Sequence, residues 1–99
     1  MNEKAIPTIN EIRAKAVPVL HRYGAKRAGL FGSAARGQLR SRSDVDILVD
    51  LGRAIGLYSF IGLKMELEDA LDRKVDLVEY DAIKPLIRER ILREEVRIL

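Results

Sequence analysis

Asp44 and Asp46 are the residues whose type and spacing most directly imply chemistry. In an extended strand, residues two apart share a face, so this pair projects side by side, roughly 7 Å apart along the backbone. Like charges so placed repel. Water or a cation must relieve them, and carboxylate oxygens are the ligands that Mg²⁺ prefers. An Asp-x-Asp tripeptide alone is most often a solvated strand edge. Here it stands at the entrance to Val45-Asp46-Ile47-Leu48-Val49, an aliphatic run that reads as a buried central strand. Charge in such a place is costly unless it is used.

A third carboxylate, Asp76, interrupts the strand-like run Arg73-Lys74-Val75-Asp76-Leu77-Val78. Should this strand lie in register beside the first, three carboxylates converge on one face. Such a cluster can hold two divalent ions about 4 Å apart, the clamp used for in-line displacement at phosphorus. The alternative is an edge-strand aspartate that keeps the sheet soluble.

Separated from Asp44 by ten residues, Gly32-Ser33 follows the short apolar run Arg27-Ala28-Gly29-Leu30-Phe31 and precedes the helix formers Ala34-Ala35-Arg36. That is a strand, a tight turn and a helix start. Gly32 permits positive φ or close backbone approach. Ser33 offers a hydroxyl and an N–H at a helix N-terminus, where phosphate is favoured; the plainer reading is a helix N-cap. No Gly-x-x-x-x-Gly-Lys-Ser/Thr loop occurs. Arg36, Arg40 and Arg42 suit a triphosphate, an acidic partner or solvent alike. His21, mid-helix, is not read as a catalytic base, and Tyr23, Tyr58 and Tyr80 are too scattered for a base-stacking platform.

Several elements must position these residues. Thr8-Ile9-Asn10-Glu11 is a capping box that opens a helix with Ile9, Ile12, Ala16, Leu20 and Tyr23 at helical spacing and Gly24 as its stop. Pro18 is expected to bend or restart it. Strands are expected over 26–31, 45–51 and 74–78, with a basic loop at 38–42. A helix over 58–71 presents Phe60, Leu63, Leu67 and Leu71, with Leu57, Ile61 and Met65 widening its apolar face. Pro85 opens a last helix with Leu86, Ile87, Ile91 and Leu92 as its buried stripe, and residues 96–99 form a short edge strand or a docked tail. The expected fold is α/β (α+β), a small mixed sheet backed by helices, in one domain of residues 1–99.

Composition narrows the function. Eighteen Lys and Arg against 15 Asp and Glu leave a net charge of +3, too mild to argue for direct nucleic-acid binding. There is no 20-residue apolar span, no signal peptide and no cysteine, so a membrane role and a disulfide framework are not expected and a cytoplasmic setting fits best.

Gly-Ser, ten residues, Asp-x-Asp, with Ala35-Arg36-Gly37 and Ser43 between them and Asp76 downstream, resembles the minimal nucleotidyltransferase (MNT) domains of the polymerase-β superfamily. The closing helix around Arg88–Glu95 is similar to the end of MNT antitoxins paired with HEPN ribonucleases. Asp72 departs from the glycine common in the family after the central helix, but aspartate tolerates a left-handed turn. The resemblance implies metal-dependent transfer of AMP from ATP to a hydroxyl, a tyrosine of a cognate HEPN toxin. Asp44, Asp46 and Asp76 would be catalytic and would bind two Mg²⁺ ions, with Gly32, Ser33 and Arg36 on the phosphates. A rival is an antitoxin that inhibits by docking alone over a vestigial site. A nucleotidyltransferase subunit for nucleic acids or small molecules fits less well, because no recognition domain is visible.

Overall fold

The computed structural model describes residues 5–99. Helix α1 (Ile9–Arg22) begins at the Thr8 capping box, in which Glu11 N–H donates to Thr8 Oγ1 and Thr8 N–H donates to the Glu11 carboxylate. Of the two outcomes expected at Pro18, a restart does not occur; α1 runs through it unbroken. Pro18 faces solvent, where water can satisfy the carbonyl that loses its donor. Strand β1 (Arg27–Phe31) runs directly into the one-turn helix α2 (Gly32–Ala35), and β2 (Val45–Asp50) follows after a loop. Helix α3 (Leu57–Leu71) ends at Asp72 in the left-handed conformation, φ 52°, and β3 (Val75–Glu79) returns. A 3₁₀ turn at Tyr80–Ala82, helix α4 (Pro85–Glu94) and the short strand β4 (Val96–Arg97) complete the chain.

The sheet is mixed, in the order β3-β2-β1-β4. β1 pairs antiparallel with β2 and β4, and β2 pairs parallel with β3. Residues 96–97 are thus an edge strand, the first of the two alternatives. Alternation divides the sheet into two faces. Val45, Ile47, Val49, Val75 and Leu77 pack with Ala28 and Leu30 beneath α1 and α3, whose Ile12, Ala16, Leu20, Leu63 and Leu67 are buried in the main core. The opposite face carries Leu48 and Val78 in a smaller cluster with Phe31, Tyr80, Ile83, Ile91 and Leu92. Asp46 and Asp76 continue the rows of that second face.

Two expected apolar stripes are corrected. No residue of α4 is fully buried, and Leu86 is 99% exposed while Ile91 and Leu92 alone reach the small cluster. Leu57, Ile61 and Met65 of α3 are likewise exposed, because the face that packs on the core is the one that carries Leu63, Leu67 and Leu71. The buried Glu95 side chain ties the C-terminal segment down. Glu95 accepts from the Tyr80 hydroxyl and pairs with Arg27, N···O 3.1 Å, and the Arg27 guanidinium lies 4.3 Å from the Tyr80 ring centroid. Among the described residues no helix is long and apolar enough to cross a membrane.

Candidate active site

The site grows from the register of three strands. Asp46 lies opposite Phe31 of β1 on one side and opposite Asp76 of β3 on the other. Side chains opposite one another in neighbouring strands share a face, so Asp46 and Asp76 are adjacent, and Gly32 follows directly at the end of β1. Asp44, two residues before Asp46, precedes β2 and is exposed, as is Asp76; Asp46 is the half-buried member.

Gly32 has φ +63°, and a Cβ built there would run into the Asp46 carboxylate, with Asp46 Cγ 3.2 Å away. Glycine is therefore required twice over, by backbone conformation and by contact. Ser33 is the second residue of α2 rather than its N-cap, which is Phe31, so the capping reading is corrected. The positive φ of Gly32 turns the chain straight from strand into helix, leaving no extended position for Ser33 to occupy. Its hydroxyl makes no hydrogen bond to another described residue. Arg36 caps the C-terminal end of α2, and its guanidinium bonds Gln38 Oε1 at 3.1 Å and Glu94 of α4 at 3.5 Å. Arg40 and Arg42 lie in the loop before Asp44, and His21 is exposed on α1.

The carboxylates are electrostatically coupled. Burial, then the charges of Asp76 and Asp44, push the Asp46 carboxyl up to about 6, with Arg36 opposing them. Such a shift marks repulsion that a cation would relieve. The donor set consists of hard carboxylate oxygens and fits Mg²⁺. Among the described residues no three acidic, histidine or cysteine side chains are gathered tightly enough to hold an ion as they stand. Binding therefore requires the exposed Asp44 and Asp76 carboxylates to turn inward, a rotamer change open to surface side chains.

A pH dependence follows. The native state keeps a proton on Asp46 that the unfolded chain releases, so this group's contribution to stability is present below its ordinary value of 3.8 and is lost as pH rises towards about 6. In chelator, the stability advantage of Asp46→Asn over the parent is expected to grow between pH 4 and pH 7, measured by urea unfolding. An advantage independent of pH would contradict the coupling.

Known proteins resemble the chain in the same region. The family model described as polymerase beta, nucleotidyltransferase, matches residues 14–99. A Methanocaldococcus jannaschii protein named as a protein adenylyltransferase is 46% identical over 91 residues, covering 92% of this chain and 98% of the relative. The protein adenylyltransferase MntA of Thermococcus cleftensis is 39% identical over 98 residues, covering 95% of this chain and 99% of MntA. A solved structure described as a minimal nucleotidyltransferase superposes with a TM-score of 0.75 at 37% identity, covering 93% of this chain and 97% of the other. A toxin-antitoxin complex solved with AMP-PNP gives 0.77 at 24% identity, over 88% of this chain and 72% of that one, a likeness of fold.

Proposed function

The chain belongs to the polymerase beta nucleotidyltransferase family, and from that premise we propose that it is an antitoxin that transfers AMP from ATP to a tyrosine hydroxyl of a cognate HEPN ribonuclease toxin. The observation that carries the reading is the register that sets Asp46 beside Asp76 and against the Gly32 turn. The named activity of the relatives and the toxin-antitoxin neighbours support it. A cytoplasmic setting, where ATP is abundant, belongs to the same reading.

Asp44, Asp46 and Asp76 would hold two Mg²⁺ ions. When bound, these ions neutralise charge on the triphosphate and on the displaced oxygen. Gly32 lets the backbone approach the β and γ phosphates closely, while the Ser33 hydroxyl and neighbouring N–H groups donate to their oxygens. Arg36 adds a charge-assisted contact once it leaves Glu94. Asp76, at the exposed edge, faces the incoming hydroxyl and takes its proton. The tyrosine oxygen forms the new bond to the α-phosphorus, the bond to the bridging oxygen breaks, and pyrophosphate departs.

Incubation with the candidate toxin, isotopically labelled ATP and Mg²⁺ is expected to add adenylyl mass to a toxin tyrosine, read by mass spectrometry. Mg²⁺ and ATP together should also raise the melting temperature of the protein well above the effect of ATP in chelator. A toxin that is neutralised with no mass gain would sink the transfer reading and leave inhibition by docking alone.

A further inference from the structure

Asp46 and Asp76 are placed by the sheet: their strands pair residue by residue, and the carboxylates follow. Asp44 has no such support. It lies outside β2, at the end of a stretch from Gln38 that forms neither helix nor strand. Something else must hold it.

Arg73 is buried, 6% exposed, between the left-handed Asp72 and the start of β3. Among the described residues its guanidinium makes three hydrogen bonds, all to main-chain carbonyls. Nη1 donates to Arg40 O at 2.8 Å and Ser43 O at 3.0 Å, and Nη2 donates to Ala5 O at 3.2 Å. No carboxylate among the described residues pairs with it. The Ser43 carbonyl belongs to the peptide that contains the Asp44 nitrogen. On the other side of Asp44, Val45 N–H donates to Lys74 O at 2.9 Å. Asp44 is thus bracketed by two anchors supplied by residues 73 and 74, the same segment that leads into Asp76. The loop is tightened from within, because Arg40 N–H donates to Ser43 Oγ at 2.8 Å and Ser43 N–H donates to Arg40 O at 3.1 Å.

Burying a guanidinium is unfavourable, and carbonyl dipoles alone offset it only in part. Its fork nevertheless joins several carbonyls at fixed angles, which an ammonium point charge cannot do. We infer that Arg73 is a positioning residue: it fixes the Ser43-Asp44 peptide so that the Asp44 carboxylate is delivered to the site at a set distance from Asp46 and Asp76. This rests on the reading of the three aspartates as metal ligands.

The test uses Mn²⁺ as the probe, titrated into the intact protein with AMP-PNP and followed by water-proton relaxation. Arg73→Lys keeps the charge and loses the fork, and is expected to weaken Mn²⁺ binding by about tenfold or more, the usual effect of removing a group that orients a metal ligand. Raising Mg²⁺ should restore most AMP transfer by Arg73→Lys but not by Asp44→Asn. Tyr23→Phe serves as the control for lost stability, since it removes only the hydroxyl contact to Glu66 between α1 and α3, and it should leave the Mn²⁺ midpoint unchanged. Equal Mn²⁺ affinity in the parent and Arg73→Lys would overturn the inference while leaving the nucleotidyltransferase reading intact, whereas a parent that binds no Mn²⁺ would overturn both. Should Arg73→Lys fail to fold, the unsubstituted protein still decides: the Asp44 amide is expected to be as ordered by ¹⁵N relaxation as that of Asp46, near 0.85, and an order parameter below about 0.6 would refute the clamp.

Discussion

Asp46→Asn is expected to reduce AMP transfer by about a thousandfold or more and, in the same variant, to raise the melting temperature of the metal-free protein. The two effects share one cause. The carboxylate is half-buried beside two others, and its ionised form is disfavoured in the native state, so a neutral amide of the same shape removes a stress that the fold carries at neutral pH. Discounted for solvent screening, that stress is on the order of 1 to 2 kcal/mol, or roughly 5 to 10 °C for a domain of this size. On the proposed function the lost activity follows because the negative charge would hold the ions that stabilise the transferring phosphoryl group. Calorimetry and a turnover assay on one preparation check both halves. A variant that is inactive but no more stable would mean that the repulsion is already relieved in solution. A variant that is stabilised but fully active would remove Asp46 from the chemistry.

Gly32→Ala is the second large effect. A Cβ at this position costs roughly 1 to 2 kcal/mol for the left-handed backbone and also collides with the Asp46 carboxylate. Gly37→Ala provides the comparison: its φ of +68° imposes the same backbone strain, but nothing lies within 4 Å of the added carbon. Both variants should lose stability, whereas only Gly32→Ala should lose activity, by about a hundredfold, because its carbon displaces the Asp46 carboxylate, which on the proposed function would be a metal ligand, and would close the approach of phosphate to the backbone. Matched losses of activity would place the fault in loop conformation and not in contact with Asp46.

The placement of the candidate site was more legible in the sequence than the packing around it. Gly32-Ser33 and Asp44-x-Asp46 could be read because turn and strand geometry act locally, and the Thr8 capping box is satisfied within four residues. The register that brings Asp76 to Asp46 needed only that two aliphatic runs lie side by side. Helical periodicity, by contrast, marks an apolar face without saying what covers it, and so Leu86 falls in a predicted buried stripe that it does not join, while Leu57 and Met65 widen an apolar face that stays exposed. Glu95 reads as the solvated end of a charged helix, yet its side chain is 4% exposed and meets Arg27, 68 residues earlier in the chain. Arg73 carried no local signal either: its partners are carbonyls from 30 to 68 residues away, and a carbonyl leaves no trace in residue type.

The place of β2 between β1 and β3 has a consequence for deuterium exchange. Its amides take part in ladders on both sides, so the strand opens only when the sheet comes apart, and Asp46 should be among the last residues to exchange with solvent. A charged residue that disfavours the folded state usually finds relief in local fraying. Here no fraying reaches it. The repulsion at Asp46 is spread over the opening of the whole sheet, and its backbone keeps its place through every smaller fluctuation while the exposed Asp44 and Asp76 side chains remain free to turn.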